Sequence, residues 1–219
     1  MELTPEEIRV LACLVEKEST TPDNYPLSSN ALVNACNQST SRDPIVHYTE
    51  REVDQVVMAL REQGLARTVR GDGQRVHKHK HVFGEALRIE RPSLALLSVL
   101  MLRGAQTVNE LKSRTERYDI GLDATGVDRA LEAMAGRDEP LVRQLPRRSG
   151  EREARWVHLV GGDAMAEAAA HASPAASAAT PRASAASVST NEVAELRARL
   201  DEMNRRLDVL LERLGETID

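Results

Sequence analysis

Aromatic side chains are scarce in this chain, at 2% of its 219 residues, with one tryptophan and one phenylalanine. Such a chain has few rings on which unpaired bases could stack, which argues against binding to single-stranded nucleic acid. Its core must be built from aliphatic side chains, since 41% of the residues are hydrophobic. Leucine, valine, isoleucine and alanine in these numbers favour a helical fold.

Cysteines and long apolar runs are also few. Cys13 and Cys36 both lie in helix-like apolar patterns, where a buried free thiol is the favoured interpretation over a disulfide. No apolar run approaches the roughly 20 residues of a membrane span, and the start at Met1–Pro5 lacks a basic and then apolar signal region. We therefore expect a cytoplasmic protein that makes no membrane contact.

The motifs of common enzyme classes are missing as well. The sequence has no glycine-rich phosphate loop, no nucleophile elbow and no convincing pair of carboxylates. Arg42 and Asp43 precede Pro44, and we interpret them as a local ion pair that orients a loop. The sequence thus predicts a protein that is not an enzyme and that binds no cofactor.

An internal repeat organises the first three quarters of the chain. The apolar pattern Ile8, Val10, Leu11, Leu14 and Val15 returns 86 residues later as Leu94, Leu96, Leu97, Leu100 and Met101. Further matches pair Asn30-Ala31-Leu32 with Asn109-Glu110-Leu111, Val56 and Leu60 with Val127 and Leu131, and Leu65-Ala66-Arg67 with Leu141-Val142-Arg143. A duplication of this size predicts two similar small domains in tandem, each with its own core.

Each copy is predicted to contain three helices followed by a β-hairpin. In the first copy, Thr4, Ser28 and Thr49 are placed to cap helices, and a turn at 71–73 separates two β-prone arms. The second copy has helices over 92–102, from Thr107 and over 125–135, then hairpin arms at 141–145 and 152–160. The predicted fold is therefore mainly α with small β-hairpins (α+β), in the element order of a winged helix. We place the two winged helix domains at residues 1–86 and 87–162.

Three histidines near the end of the first copy raise the question of a metal site. His77, His79 and His81 alternate along a predicted strand, and a His-x-His pair can bring two imidazoles to one zinc ion. In the second copy His158 matches His81, but Trp156 stands in place of His79. We therefore favour structural or solvated histidines over a metal site.

Two long stretches resemble a known family. The first is Asn24-Tyr25-Pro26-Leu27-Ser28-Ser29-Asn30-Ala31-Leu32-Val33-Asn34-Ala35-Cys36-Asn37-Gln38 with Ser41-Arg42-Asp43-Pro44, which resembles the YceH family of uncharacterised bacterial proteins. The second comprises Leu100-Met101-Leu102-Arg103-Gly104 and Glu153-Ala154-Arg155-Trp156-Val157-His158-Leu159. The resemblance covers roughly residues 1–162 and implies tandem winged helix domains, with no established activity to transfer. Ser39 stands where a lysine is expected, which weakens a phosphate-contact role for that loop.

The C-terminal quarter has a different composition. Residues 163–190 are rich in alanine, serine and proline and are predicted to form a linker, with some helical tendency over 164–172. Residues 191–215 are predicted to form a coiled-coil helix that makes a homodimer, with its oligomer number and direction left open. A lone helix docked on the body is the alternative. The predicted oligomerisation seam is Val193, Leu196, Leu200, Met203, Leu207, Leu210 and Leu214.

Basic residues cluster on both predicted hairpins, although the whole chain carries a net charge of -5. Wing residues can contact DNA phosphates or enter a minor groove, where arginine is favoured. The predicted third helices instead begin with acids, which the phosphate backbone repels unless they point away. The predicted DNA-binding residues are Arg51, Arg67, Arg70, Arg75, Lys78, Lys80, Arg143, Arg147, Arg148 and Arg152.

The sequence therefore favours a regulator-like protein that binds double-stranded DNA through its basic wings. The alternative is a protein-interaction scaffold whose winged helix domains dock partner proteins, with the acidic third helices supplying charge complementarity. A ligand pocket between the repeats stays a further open alternative, since no sequence pattern would disclose it.

Overall fold

The computed structural model describes residues 2–70, 77–147 and 150–171. The first half contains α1 (Pro5–Thr20), β1 (Leu27–Ser28), α2 (Ser29–Cys36), α3 (Glu50–Glu62), β2 (Ala66–Val69) and β3 (Lys78–His81). The short helix α4 (Phe83–Leu87) leads to α5 (Arg91–Arg103), α6 (Val108–Thr115), α7 (Ala124–Ala135), β4 (Val142–Gln144), β5 (Trp156–His158) and α8 (Gly162–His171). This is the mainly helical α+β composition that the sequence predicts. All seven positions of the predicted seam, from Val193 to Leu214, lie outside the described residues.

Local capping chemistry sets the helix starts. Thr4, Thr49 and Thr107 each form a capping box, in which the hydroxyl accepts from a backbone N–H three residues on and a glutamate there accepts in return. Ser28 caps α2 through the Ala31 N–H, and Asp123 caps α7 through the Gly126 N–H. The predicted starts at the threonines and at Ser28 are therefore confirmed.

Strand register confirms one of the predicted repeat matches. In the first sheet, β3 lies between β1 and β2, and Ala66 of β2 faces His81 of β3. In the second sheet, Val142 of β4 faces His158 of β5. A bridge between Gln106 and Trp156 also corresponds to the pairing of β1 with β3. The match of Leu65-Ala66-Arg67 with Leu141-Val142-Arg143 is thus correct in three dimensions.

The predicted match of the third helices is wrong by three residues. The N-caps are Thr49 for α3 and Asp123 for α7, an offset of 74 rather than the 71 that Val56 and Val127 suggest. The buried residues agree with the caps: Val53, Val57 and Leu60 in α3 correspond to Val127, Leu131 and Met134 in α7. Both helices carry an apolar pattern in which positions three or four apart share a face, so a shift of nearly one turn still aligns valine with valine.

The core is continuous through both halves, in contrast to the two separate cores that the sequence predicts. Every residue from Val10 to Val15 in α1 and from Leu94 to Leu102 in α5 is buried. A helix that is buried on all faces must be covered from several directions, and α1 and α5 pack against each other. Their buried side chains belong to a single hydrophobic cluster. Cys13 and Cys36 are buried free thiols within it, as predicted.

Residues 162–171 form helix α8, at the start of the segment that the sequence predicts to be a linker with some helical tendency over 164–172. Helix α8 packs against β5, and Ala166 is 1% exposed. Alanine-rich helices bury little surface per residue, so composition alone does not separate this docked helix from a linker. Within the described part of the chain, no helix is both long enough and apolar enough to span a bilayer.

Candidate nucleic-acid interface

Arg67, Lys78 and Lys80, which we call the first basic face, lie on the side of the first sheet opposite to that of His79 and His81. Side chains alternate along a strand, so these residues share one side while Thr68 and His79 share the other. Arg67 lies directly opposite Lys80 across the β2–β3 pair. None of these three cations forms an ion pair with any residue that the structure describes.

The opposite side of the sheet is fastened to the helices through His79. Its Nε2 lies 3.1 Å from Ser29 Oγ, and its Nδ1 lies 3.1 Å from Thr68 Oγ1. Ser29 Oγ donates to Asp54 Oδ1 at 2.6 Å, so the Nε2–H donates to Ser29 and the Thr68 hydroxyl donates to Nδ1. Burial lowers the pKa of His79, which favours this neutral form.

His81 is also held at both ring nitrogens. Nε2 lies 2.9 Å from Glu18 Oε2, and Nδ1 accepts from the Phe83 N–H at 3.3 Å. The hydrogen bond from His81 lowers the pKa of Glu18. Both imidazoles that could share a metal ion therefore use their nitrogens within the protein. His77, the third histidine, is exposed and contacts Arg70.

The acidic side chains at the start of α3 are partly occupied by contacts within the protein. The Glu52 carboxylate accepts from the Thr49 N–H and hydroxyl, both at 2.7 Å, and these hydrogen bonds lower its pKa. Asp54 accepts from Ser29, as described above. Arg51 is exposed on the same helix. Asp54 is therefore turned toward α2 and the sheet, whereas Glu50 and Glu52 stay exposed at the start of α3.

The second hairpin differs, because several of its cations are paired. Arg143 donates to Asp163 of α8 at 2.9 Å. Arg155 donates to Glu110 at 2.7 Å and lies 3.5 Å from Glu151. Val157, which faces Arg143 across the pair, is buried. The two hairpins therefore share their strand register, but Arg143 is paired with an acid whereas Arg67, Lys78 and Lys80 are not paired with any described acid.

The other predicted DNA-binding residues are exposed near the loops between strands or lie outside the described residues. Arg70, Arg147 and Arg152 are exposed beside the loops that connect the strands. Arg75 and Arg148 lie outside the described residues. The structure thus brings together Arg67, Lys78 and Lys80, and it separates them from the paired Arg143.

His158 offers a test of the second sheet. It is buried and its Nδ1 has no hydrogen-bond partner among the described residues, and burial lowers its pKa to about 4. Because the unfolded state takes up a proton near pH 6.5 while the folded state does not, stability is lost as the pH falls from 6.5 toward 4. We expect the buried neutral His158 to lower the free energy of unfolding by about 2 kcal/mol as the pH falls from 7 to 4.5.

The measurement is urea unfolding of the wild type and His158→Gln at several pH values. The variant should show a shallower loss of stability over this range, whatever its absolute stability. Parallel pH curves for the two proteins would contradict a neutral buried His158.

The sequence predicts an ion pair between Arg42 and Asp43, but the two residues do not form one in the structure. The guanidinium of Arg42 is buried and donates to both oxygens of Glu16, at 2.5 and 3.2 Å, while Asp43 is exposed. A buried cation requires a buried partner, and the neighbouring Asp43 points elsewhere. Sequence reasoning also missed Arg103, Arg114 and Arg117 on the other side of this loop. Their positions in or just after the last turns of α5 and α6 were the only available signal.

Comparison with known proteins places this chain in a family. Residues 3–151 match the family described as "Protein of unknown function, DUF480". The chain is 46% identical over 168 residues to a UPF0502 protein of Pelobacter propionicus, covering 77% of this chain and 76% of that one. It is 45% identical over 174 residues to a UPF0502 protein of Solibacter usitatus, with 80% and 82% covered. A UPF0502 protein of Paraburkholderia phymatum is 44% identical over 165 residues, with 75% and 70% covered. The chain belongs to the DUF480 family of UPF0502 proteins.

Proposed function

We propose that this protein binds duplex DNA without catalysing a reaction, and that the first basic face contacts the phosphate backbone. The observation that carries the proposal is the set of Arg67, Lys78 and Lys80 on one side of the sheet, where Arg67 is exposed, both lysines are half-buried, and none of the three is paired with a described acid. Each half is proposed to be a winged helix domain, since three helices precede an antiparallel strand pair in both. In such a domain the sheet forms the wing that lies along DNA.

The electrostatics of the strand pair support an anionic partner. Like charges directly opposite each other destabilise an antiparallel pair, and Arg67 faces Lys80 in this way. A polyanion alongside the sheet would turn that repulsion into attraction. Lysine and arginine contacts to phosphates release counterions, so the resulting affinity depends on salt.

In a dimer, each chain would contribute its own first basic face to the same DNA molecule. The C-terminal heptad segment, residues 191–215, is proposed to hold the two chains together. Linking two weak sites raises the overall affinity, provided that both can reach the duplex at once. We therefore propose a cytoplasmic, regulator-like dimer.

The experiment is fluorescence anisotropy of a labelled random duplex with the full-length protein at several salt concentrations. The triple variant R67A/K78A/K80A should bind at least about tenfold more weakly, because it loses three phosphate contacts. The slope of log K against log salt concentration should also become shallower by about 2.7, since each lost contact removes about 0.9. The matched control is R88A/K112A/R129A, which removes the same number of exposed cations from outside both hairpins. Equal losses in the two variants, or no binding by the wild type at low salt, would refute the proposal.

A second candidate function is the docking of a protein partner. Met58 on α3 is 58% exposed and lines a groove of about 520 Å³ between α3 and β2. An exposed methionine beside an edge strand is a common feature of binding surfaces, because its flexible side chain adapts to different partners. Arg67 lines the same groove, so this site overlaps the first basic face at that residue. Loss of DNA binding in the Met58→Ala variant is not expected, because Met58 carries no charge.

A further inference from the structure

Three arginines lie near the point where α5 contacts the loop between α2 and α3, close enough that the charges of Arg114 and Arg117 lower the pKa of Arg103. Arg103 ends α5, Arg114 lies in the last turn of α6, and Arg117 follows in the next turn. We call these three residues the arginine cluster. Arg103 donates to Ser41 Oγ, and Arg117 donates to Glu16. Nη1 of Arg114 is buried and has no acceptor among the described residues.

The carboxylates near the cluster are already shared with other cations. Glu16 accepts two hydrogen bonds from Arg42 besides the one from Arg117. Glu110 accepts from Arg155. Among the described residues, Arg103 has only the neutral Ser41 hydroxyl as a side-chain hydrogen-bond partner. Burial, together with the charges of Arg114 and Arg117, lowers the pKa of Arg103 to about 10. The site therefore carries more positive charge than its own acids neutralise.

Helix dipoles explain this arrangement only in part. Arginines in the last turn of a helix interact favourably with the free carbonyl groups there, and Arg103 and Arg114 are so placed. Each helix end, however, corresponds to only about half a negative charge. Nor does a dipole supply an acceptor for the buried Nη1 of Arg114. The cluster thus combines an excess of positive charge with a buried donor that has no acceptor among the described residues.

The loop adds a hydroxyl at the same place. Ser41 has φ 62°, a left-handed conformation that is uncommon outside glycine. The loop is fixed to α5 next to it, because the Asp43 N–H donates to the Leu102 carbonyl at 2.8 Å. Since Ser41 Oγ accepts from Arg103, its own proton is free to donate. Strained backbone that the surrounding structure holds in place is a frequent feature of ligand sites.

We propose that the arginine cluster and Ser41 bind an oxyanion of the phosphate type. Planar guanidinium groups match phosphate oxygens with paired donors, which a lysine cannot do. The site is distinct from the first basic face and does not depend on it. The oxyanion is either a free phosphate group or a phosphate of a nucleic-acid backbone, and the two sources require the same chemistry here.

The test is thermal unfolding of the full-length protein in inorganic phosphate and in chloride at equal ionic strength. Phosphate at ten times its dissociation constant should raise Tm by about 3–6 °C. Arg114→Gln should abolish most of this gain, while its Tm in chloride should fall only by the loss of the charge interaction between Arg114 and Glu110. Arg129→Gln is the matched control, since Arg129 is exposed on α7 and forms no ion pair with the described residues. Phosphate also stabilises proteins non-specifically, and the control variant measures that contribution.

A structural role alone predicts the opposite pattern, in which Arg114→Gln lowers Tm equally in chloride and phosphate. That result, or an equal phosphate gain in the Arg114 and Arg129 variants, would overturn the proposal. A 12-base-pair duplex distinguishes the two sources. If backbone phosphate occupies the site, the Arg114 variant loses duplex affinity and phosphate competes; if free phosphate does, duplex affinity is unchanged. DNA binding through Arg67, Lys78 and Lys80 can fail without affecting the phosphate result.

Discussion

Replacing Arg42 with methionine is expected to lower the free energy of unfolding by about 3–5 kcal/mol. The Arg42 side chain is fully buried, and its guanidinium donates to Glu16, Gln38 and two backbone carbonyls. Methionine fills a similar volume but leaves the Glu16 carboxylate, 1% exposed, with Arg117 as its closest remaining cation. A buried charge that loses its main partner keeps its full desolvation cost, so the loss exceeds the net value of the pair.

Urea unfolding followed by circular dichroism measures this loss. Adding Glu16→Gln to Arg42→Met should recover part of it, because the second change removes the uncompensated charge. Arg51→Met is the control, since Arg51 is exposed on α3 and its loss should change stability by less than about 0.5 kcal/mol. If the double variant is as unstable as the sum of its single variants, then Arg42 and Glu16 do not act as a pair.

Features that depend on neighbouring residues could be predicted from the sequence. The caps at Thr4, Thr49 and Thr107 were recognised because a capping box needs only a threonine and a glutamate three residues later. The common side of His77 and His79 was predicted from the alternation of side chains along a strand, whereas the position of Arg67 opposite Lys80 is set by the β2–β3 register. Both kinds of pattern are local, so tertiary packing has little power to change them.

Features that depend on distant residues could not be predicted. Arg42 and Glu16 are 26 positions apart, and no spacing rule links a loop arginine to a glutamate in α1. The pairing of Arg143 with Asp163 requires α8, whose alanine-rich sequence looked like a linker. The charge of the second hairpin was therefore overestimated, because charge counting along the chain cannot show which cations are neutralised in space.

The arginine cluster was missed for a related reason. Arg103, Arg114 and Arg117 belong to three successive elements and look like ordinary surface arginines at helix ends. Only the fold brings Arg114 and Arg117 near Arg103, which contacts a loop serine with a positive φ. The single core was missed because each repeat, considered alone, has enough apolar residues for a small domain.

Leu97→Ala in α5 is expected to destabilise both halves of the protein together, by about 2–5 kcal/mol. Leu97 is fully buried in the helix that packs against α1. Truncation leaves a cavity in a cluster that includes residues of both halves. Because one core serves both halves, we expect a single cooperative unfolding transition.

Native-state hydrogen exchange can show whether the two halves share this loss. In a cooperative unit, the slowest amides of α3 in the first half should lose as much protection as those of α7 in the second. Met58→Ala is the control, since Met58 is exposed and its truncation should leave protection in both helices nearly unchanged. Unchanged protection of α3 in Leu97→Ala would mean that the halves unfold independently, as two domains with separate cores would. An equal loss of protection in α3 and α7 would mean that α1 and α5 join the two repeats into one folding unit. A change in the contact between α1 and α5 would then affect the stability of both halves.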